Sequence, residues 1–86
     1  MTQYEEDQRK VIKINDGFMS VGIYNLIISI RDVKLWQSGM RPHKNWKLKH
    51  VKEYFGVLGS ASFVLNHLEN LKAEYDQALS NIDLQN

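Results

Sequence analysis

The strongest pattern in this sequence is an apolar repeat in its last third, spaced by alternating steps of four and three residues. Such spacing puts the side chains on one stripe of a helix, as in helical bundles and coiled coils. With Ser60 as N-cap, it predicts a helix that runs to about Ile82. The stripe either holds the monomer together or joins two copies, and we predict self-association as a homodimer. We call it the heptad seam, and its members are Val64, Leu68, Leu71, Tyr75, Ala78 and Ile82.

A second helix is predicted from Ser20 to Gln37. The β-branched residues of this segment favour a strand, but its apolar residues recur at helical spacing, and eighteen residues are long for a strand. Gly39 follows where a helix C-cap belongs. Apolar residues also lie off the main face, so we expect this helix to be central or covered by a second chain. The main face holds Ile23, Leu26, Ile27, Ile30 and Val33, and the residues off it are Tyr24, Ile28, Leu35 and Trp36.

A loop and a short helix are predicted between these two helices. Pro42 disfavours helix at Arg41, so residues 40–44 are expected to form the loop. Asn45 is then predicted to cap a helix from Trp46 to Phe55, which Gly56 ends. Its predicted buried stripe consists of Leu48, Val51 and Phe55.

The N-terminal part has weaker patterns. Residues 1–9 lack apolar periodicity and are expected to be flexible. Residues 10–15, KVIKIN, alternate apolar and polar types, which predicts a short strand or extended arm that pairs with another chain or packs on the helices. The fold class is therefore mainly α. We predict a single domain over residues 10–86, with three helices, a helix-turn-helix-like hairpin and a short N-terminal arm or strand.

Length and composition narrow the class of protein. The 86 residues are enough for one domain, and a hydrophobic content of 43% is ordinary for a folded one. The absence of cysteine excludes disulfides and thiolate zinc sites. The polar N-terminus differs from a signal peptide, and no apolar run approaches the roughly 20 residues of a membrane span. We expect a soluble, cytoplasmic protein with no membrane association.

Charge is concentrated in the middle of the chain. Residues 31–52 carry seven bases and one acid, whereas residues 1–30 sum to −1 and residues 53–86 to −4. Such a basic segment favours an acidic partner, either an acidic protein surface or a nucleic acid. The predicted partner-binding face consists of Arg41, His43, Lys44, Trp46, Lys47, Lys49 and His50.

Residues that support catalysis are sparse. His50 and Glu53 share a helix face, but a di-iron bundle needs such a pair twice together with two further glutamates. There is no zinc-protease motif, phosphate loop or nucleophile elbow. We therefore expect a protein that is not an enzyme, with no metal, no cofactor and no small-molecule substrate.

Two binding functions remain. Two helices around a glycine-containing turn are typical of a helix-turn-helix, and Ser60, Ser62, Asn66 and Asn70 can touch bases. Against this, the segment from Ser60 to Asn70 has no Lys or Arg, and Lys52 stands where a small residue is usual. Docking on a protein accounts for more features: the all-round apolar helix, the heptad seam, and the tryptophans at either side of the basic loop.

The segment from His43 to Glu74 resembles short, largely uncharacterised proteins of cyanobacterial tailed phages. The resemblance lies in a His-x-x-Trp pair followed by LKHVKEYFGVLG and a long helix. Here Leu58 precedes the second glycine, where that pattern has a lysine. The resemblance implies a viral origin, action inside a bacterial host and binding to host machinery; it implies no enzymatic activity.

Overall fold

This computed structural model describes the backbone of residues 1–14 and 17–85, and the side chains of residues 1–14 and 17–80. The described residues form four helices and one two-stranded antiparallel sheet, so the fold is mainly helical, as predicted. In chain order the elements are α1 (Gln3–Asp7), β1 (Val11–Ile14), β2 (Gly17–Ser20), α2 (Val21–Gln37), α3 (Leu48–Phe55) and α4 (Ala61–Gln85).

Two long antiparallel helices, α2 and α4, form the centre of the fold. Ser20 begins α2 as its N-cap, where its hydroxyl accepts a 3.0 Å hydrogen bond from the Ile23 amide. At the other end of α2, the Gln37 amide donates a 2.9 Å bond to the hydroxyl of Ser62, in the first turn of α4. The helix predicted over residues 20–37 is therefore confirmed. The fully buried side chains between these helices are Leu26, Val33, Val64 and Leu68.

The short helix α3 begins two residues later than predicted. The amide of Trp46 donates to the carbonyl of His43 in a separate turn, at 3.1 Å, so it is not part of the helix. Lys47 occupies the N-cap position without a side-chain cap, and the prediction that Asn45 caps this helix is wrong. The end is as predicted, since Gly56 adopts the left-handed conformation at φ 65°.

The N-terminal residues 1–9 were expected to be flexible, but the structure folds most of them into α1. The Thr2 hydroxyl accepts a 3.2 Å hydrogen bond from the Glu5 amide and so begins the helix. Tyr4 is buried, with its ring centroid 4.9 Å from that of Phe55. A helix of five residues buries too few side chains to produce a periodic pattern, which is why the sequence did not reveal it. The fold thus has a fourth helix beyond the predicted three.

The predicted strand has its partner within the same chain. β1 pairs antiparallel with β2, with Ile12 opposite Met19 and Lys13 opposite Phe18. Met19 packs against the core, whereas Phe18 on the opposite face of the hairpin is exposed. The segment predicted to pair with another chain or to pack as an arm on the helices therefore pairs with a second strand of its own chain. Asn15, the last residue of the predicted strand, lies outside the described residues.

The first half of the heptad seam is core within one chain. Val64 and Leu68 are fully buried, and Leu71 and Tyr75 are partly buried against the same cluster. Ala78 is exposed, and the side chain of Ile82 lies outside the described residues. The buried members of the seam are thus occupied by α2 of the same chain and are not open to a second copy.

α2 is covered on fewer sides than its composition suggests. Tyr24 and Ile27 each expose more than a third of their surface, although Ile27 belongs to the predicted main face. The helix α2 is thus apolar nearly all round, but the rest of the fold packs on two of its sides and leaves a third side open.

Across the described part of the chain, no helix combines the length and hydropathy that a membrane crossing requires.

Candidate functional site

The predicted partner-binding face lies on the loop after α2 and on the first turns of α3. Six of its seven residues are exposed: Arg41, His43, Lys44, Lys47, Lys49 and His50. The seventh, Trp46, is only 7% exposed and belongs to the hydrophobic core. The tryptophan expected on the surface is instead the residue that holds the basic loop against the helices.

Local hydrogen bonds give the loop its shape. The amide of Met40 donates to the carbonyl of Leu35 at 2.9 Å and ends α2, and Pro42 then keeps the chain out of helix. A turn follows, closed by the bond from the Trp46 amide to the His43 carbonyl. The guanidinium of Arg41, which precedes this turn, lies 3.5 Å from the Lys44 carbonyl, which accepts its hydrogen bond. The basic residues are therefore carried on a short, internally bonded loop.

A second tryptophan belongs to this surface and was absent from the predicted face. Trp36, near the end of α2, exposes 38% of its surface and packs on Trp46 with ring centroids 5.4 Å apart. The guanidinium of Arg41 lies over the Trp36 ring, 5.7 Å from its centroid, within the range of a cation–π contact. The sequence signal for this exposure was the position of Trp36, which lies off the main apolar face predicted for the helix. We call Trp36 and the six exposed residues the basic surface.

The cations of the basic surface have few acidic neighbours. Within the described residues, Arg41, Lys44 and Lys47 form no ion pair, and Lys49 approaches Glu53 only at 3.9 Å, with both side chains exposed. An exposed pair of this kind contributes little to stability. The positive charge is thus available to an external acidic group.

α3 divides the predicted face into two sides. His50 lines a cavity of about 230 Å³ between α2 and α3, together with the buried Asp32 of α2. Lys49 points to the other side of α3, where it lines a separate groove with Lys52 and Leu58. The histidine and the lysine, adjacent in sequence, therefore contribute to different concave regions.

The His50 cavity brings together residue types used in nucleophilic catalysis, namely Ser29, Asp32 and His50. Among the described side chains no hydrogen bond connects these three, and the Asp32 carboxylate is paired with Arg31 at 3.2 Å. A catalytic triad requires a nucleophile, a base and an orienting acid within hydrogen-bond reach. Side chains that could together hold a metal ion are likewise not grouped anywhere in the described part of the chain.

A partly buried polar network fixes the other end of α3. The Tyr54 hydroxyl donates to Asp7 of α1, while the Asn25 amide of α2 donates to that hydroxyl at 2.9 Å. Hydrogen bonds from Tyr54 and then Gln3 hold the pKa of the Asp7 carboxyl below its usual range. Burial, reinforced by Asp7, raises the pKa of Tyr54 to about 12. The network links three helices and so sets the position of α3.

Comparisons with known protein families, with curated proteins and with solved structures find no match to this chain. The segment that resembles the phage proteins, His43 to Glu74, coincides with the end of the basic loop, α3, the following turn and the first half of α4. The resemblance therefore stays a prediction, and the geometry of the basic surface carries the functional interpretation.

Proposed function

We propose that this chain is a small, non-enzymatic binding protein that docks on an acidic protein surface through the basic surface. The observation that carries this proposal is a set of exposed cations, on a loop whose buried Trp46 packs on the exposed Trp36. Tryptophan and arginine are the residue types that contribute most to binding at interfaces. Positive charge that is not neutralised internally also speeds encounter with an acidic partner.

Preorganisation adds to the case for docking. Arg41 is already held over the Trp36 ring and bonded to the loop backbone, so less side-chain freedom is lost when a partner binds. The packing of Trp46 beneath the loop has the same effect on the backbone. The resemblance to phage proteins suggests a protein or assembly of a bacterial host, in the host cytoplasm, as the target.

The second candidate function is DNA or RNA binding by a helix-turn-helix-like hairpin of α3 and α4. It is supported by the exposed lysines and by Trp36, whose ring can stack on a base. The exposed side of α4 weighs against it, because Glu69, Glu74 and Asp76 lie there and repel phosphates. The lysine on that helix, Lys72, is paired with Asp76 at 2.8 Å. We therefore rank protein docking first.

The test is a capture experiment with matched charge reversals. The protein is immobilised, exposed to bacterial lysate with and without nuclease, and the bound proteins are identified by mass spectrometry. The variant Lys44→Glu/Lys47→Glu removes charge from the basic surface. The control Arg9→Glu/Lys13→Glu makes the same change in net charge on exposed residues near β1.

Docking on a protein predicts one partner that survives nuclease, is lost with the first variant and is kept by the control. Loss of all bound material on nuclease treatment would instead favour the nucleic-acid function. In that case binding to generic duplex should weaken with salt, and each lost contact should lower the logarithmic salt slope by about one. Equal capture by both variants would contradict a function of the basic surface.

A further inference from the structure

The turn between α3 and α4 exposes two large apolar side chains. Val57 is buried and holds the turn to the core, whereas the next residue, Leu58, is 83% exposed. Phe63, in the first turn of α4, is 57% exposed. Exposed apolar side chains of this size, when they lie close together beside charged groups, mark interaction sites more often than single scattered ones do.

Gly59 lies between Leu58 and Phe63 in the turn. This glycine has φ 120°, a conformation that side-chain-bearing residues rarely adopt. The Phe63 ring also lies against it, so that a Cβ on Gly59 would come within 2.9 Å of the Phe63 Cδ1 atom. The Phe63 ring packed against Gly59 and the exposed side chain of Leu58, the residue before this glycine, give the turn an exposed apolar surface.

A groove of about 480 Å³ lies next to this apolar surface. We call it the turn groove, and it is lined by Lys49, Lys52, Glu53, Gly56, Val57 and Leu58. Its lining surface is mostly apolar, and its α3 side carries two lysines, of which Lys52 makes no ion pair within the described residues. Glu53 is the acid of the groove, and its nearest cation is Lys49 at 3.9 Å. Lys49 belongs to the basic surface as well, so the two regions are continuous.

We propose that the turn groove, with Phe63, binds an acidic segment of a partner protein that presents bulky apolar side chains on one face. This inference rests on the proposed function and names the chemistry of the partner. Charge complementarity points to acidic residues opposite Lys49, Lys52 and the basic surface. Leu58 and Phe63 are matched by apolar side chains opposite them, which a nucleic-acid backbone does not provide.

The inference is tested with synthetic peptides whose composition is constant and whose pattern varies. The first is a fluorescein-labelled peptide of leucine and glutamate, about 18 residues long, or five helical turns, with leucines three and four apart. The second has the same composition with the leucines distributed round all faces, and the third is polyglutamate. Binding is followed by fluorescence anisotropy at two salt concentrations, with the intact protein.

The expected result is that the amphipathic peptide binds at least about tenfold more tightly than the scrambled one, a difference of about 1.4 kcal/mol. The variant Leu58→Ser/Phe63→Ser should remove this preference and keep the weak, salt-sensitive binding of polyglutamate. Phe18→Ser, which replaces an even more exposed ring on the hairpin, should keep the preference. Circular dichroism of each variant establishes that it is folded.

Other outcomes overturn the inference in distinguishable ways. Equal binding of all three peptides, abolished by Lys44→Glu/Lys47→Glu, would leave the proposed function standing and remove the apolar part. If none of the acidic peptides binds, the result would count against the inference about the turn groove and also against the proposed function. Two further results would assign the exposed pair to another occupant: tight binding to anionic lipid vesicles that Leu58→Ser/Phe63→Ser removes, or a dimer in light scattering that the same variant dissociates.

Discussion

The Tyr54 hydroxyl donates a 2.7 Å hydrogen bond to Oδ2 of Asp7, which joins α3 to α1 across 47 positions of sequence. The other carboxylate oxygen, Oδ1, accepts a 3.0 Å bond from the Gln3 amide. Asp7 is buried, so these donors replace the water that it would otherwise bind. The contact positions α3, which carries Lys49 and His50 of the basic surface, and it is the basis of the first two predictions.

Replacing Tyr54 by phenylalanine should destabilise the fold. The change removes one hydrogen bond to a buried carboxylate and leaves the ring in place, so we expect a loss of about 1.5–3 kcal/mol in the free energy of unfolding. Urea denaturation followed by circular dichroism measures it. The control is Tyr24→Phe, on an exposed ring of α2, which should change the free energy by less than about 0.5 kcal/mol. Equal effects of the two variants would contradict the importance of the contact.

Stability should fall with acid in a manner that depends on Asp7. Its folded-state pKa lies below its ordinary value of 3.8, because Tyr54 and Gln3 donate to the carboxylate. The ionised Asp7 carboxylate therefore contributes its full stabilisation at a pH well above 3.8. This contribution is lost as the pH falls through 3.8 toward the folded-state pKa of Asp7. Urea midpoints measured from about pH 6 to pH 2 should drop less steeply in Tyr54→Phe than in the wild type. An identical fall of the urea midpoint with pH in both proteins would show that carboxylates other than Asp7 dominate the acid dependence of stability.

Trp46 and Trp36 should respond differently to truncation. Trp46→Ala removes a buried ring and should cost about 3–5 kcal/mol, a large part of the stability of a small domain. Trp36→Ala removes a ring that is more than a third exposed and should cost clearly less, while weakening partner binding. Thermal unfolding and the capture experiment separate the two effects. A fully stable Trp46→Ala variant would contradict its position in the core.

Gly22→Ala should destabilise the protein even though alanine is the better helix former by about 1 kcal/mol. A Cβ at Gly22 would come within 2.9 Å of the Tyr4 carbonyl oxygen and 3.0 Å of the Gln8 amide nitrogen, so α1 would have to move. We expect a net loss of about 1–3 kcal/mol in unfolding free energy. Gly17→Ala is the control, because nothing lies within 4 Å of its Cβ position. Stabilisation by Gly22→Ala would show that α1 is loosely held.

The role of the heptad seam can be tested by measuring stability at several protein concentrations. Leu68→Ala should cost about 2–5 kcal/mol, because the side chain is fully buried within one chain. Leu79→Ala, on the exposed later part of α4, should cost less than about 0.5 kcal/mol. Neither unfolding midpoint should vary with protein concentration if the seam acts only within the monomer. A midpoint that rises with concentration would instead support the predicted homodimer.

Local patterns in the sequence were enough to predict the two long helices and the serines at which they begin. Ser20 caps α2, and Ser60 accepts a hydrogen bond from Phe63 at the start of α4. These features depend on residues at most four apart, and their spacing is visible in the sequence alone. The concentration of positive charge in the loop and α3 is likewise a property of composition, so the basic surface was predictable in outline.

Long-range contacts decided the rest. Whether Trp46 or Trp36 is exposed depends on which indole packs toward the core, and Trp46 is 7% exposed whereas Trp36 is 38% exposed. The helix α1 exists because Tyr4 packs on Phe55 and Asp7 bonds to Tyr54, both residues of α3. The first half of the seam is core because α2 of the same chain packs on it. In each case the free energy comes from groups far apart in sequence, which no local pattern records.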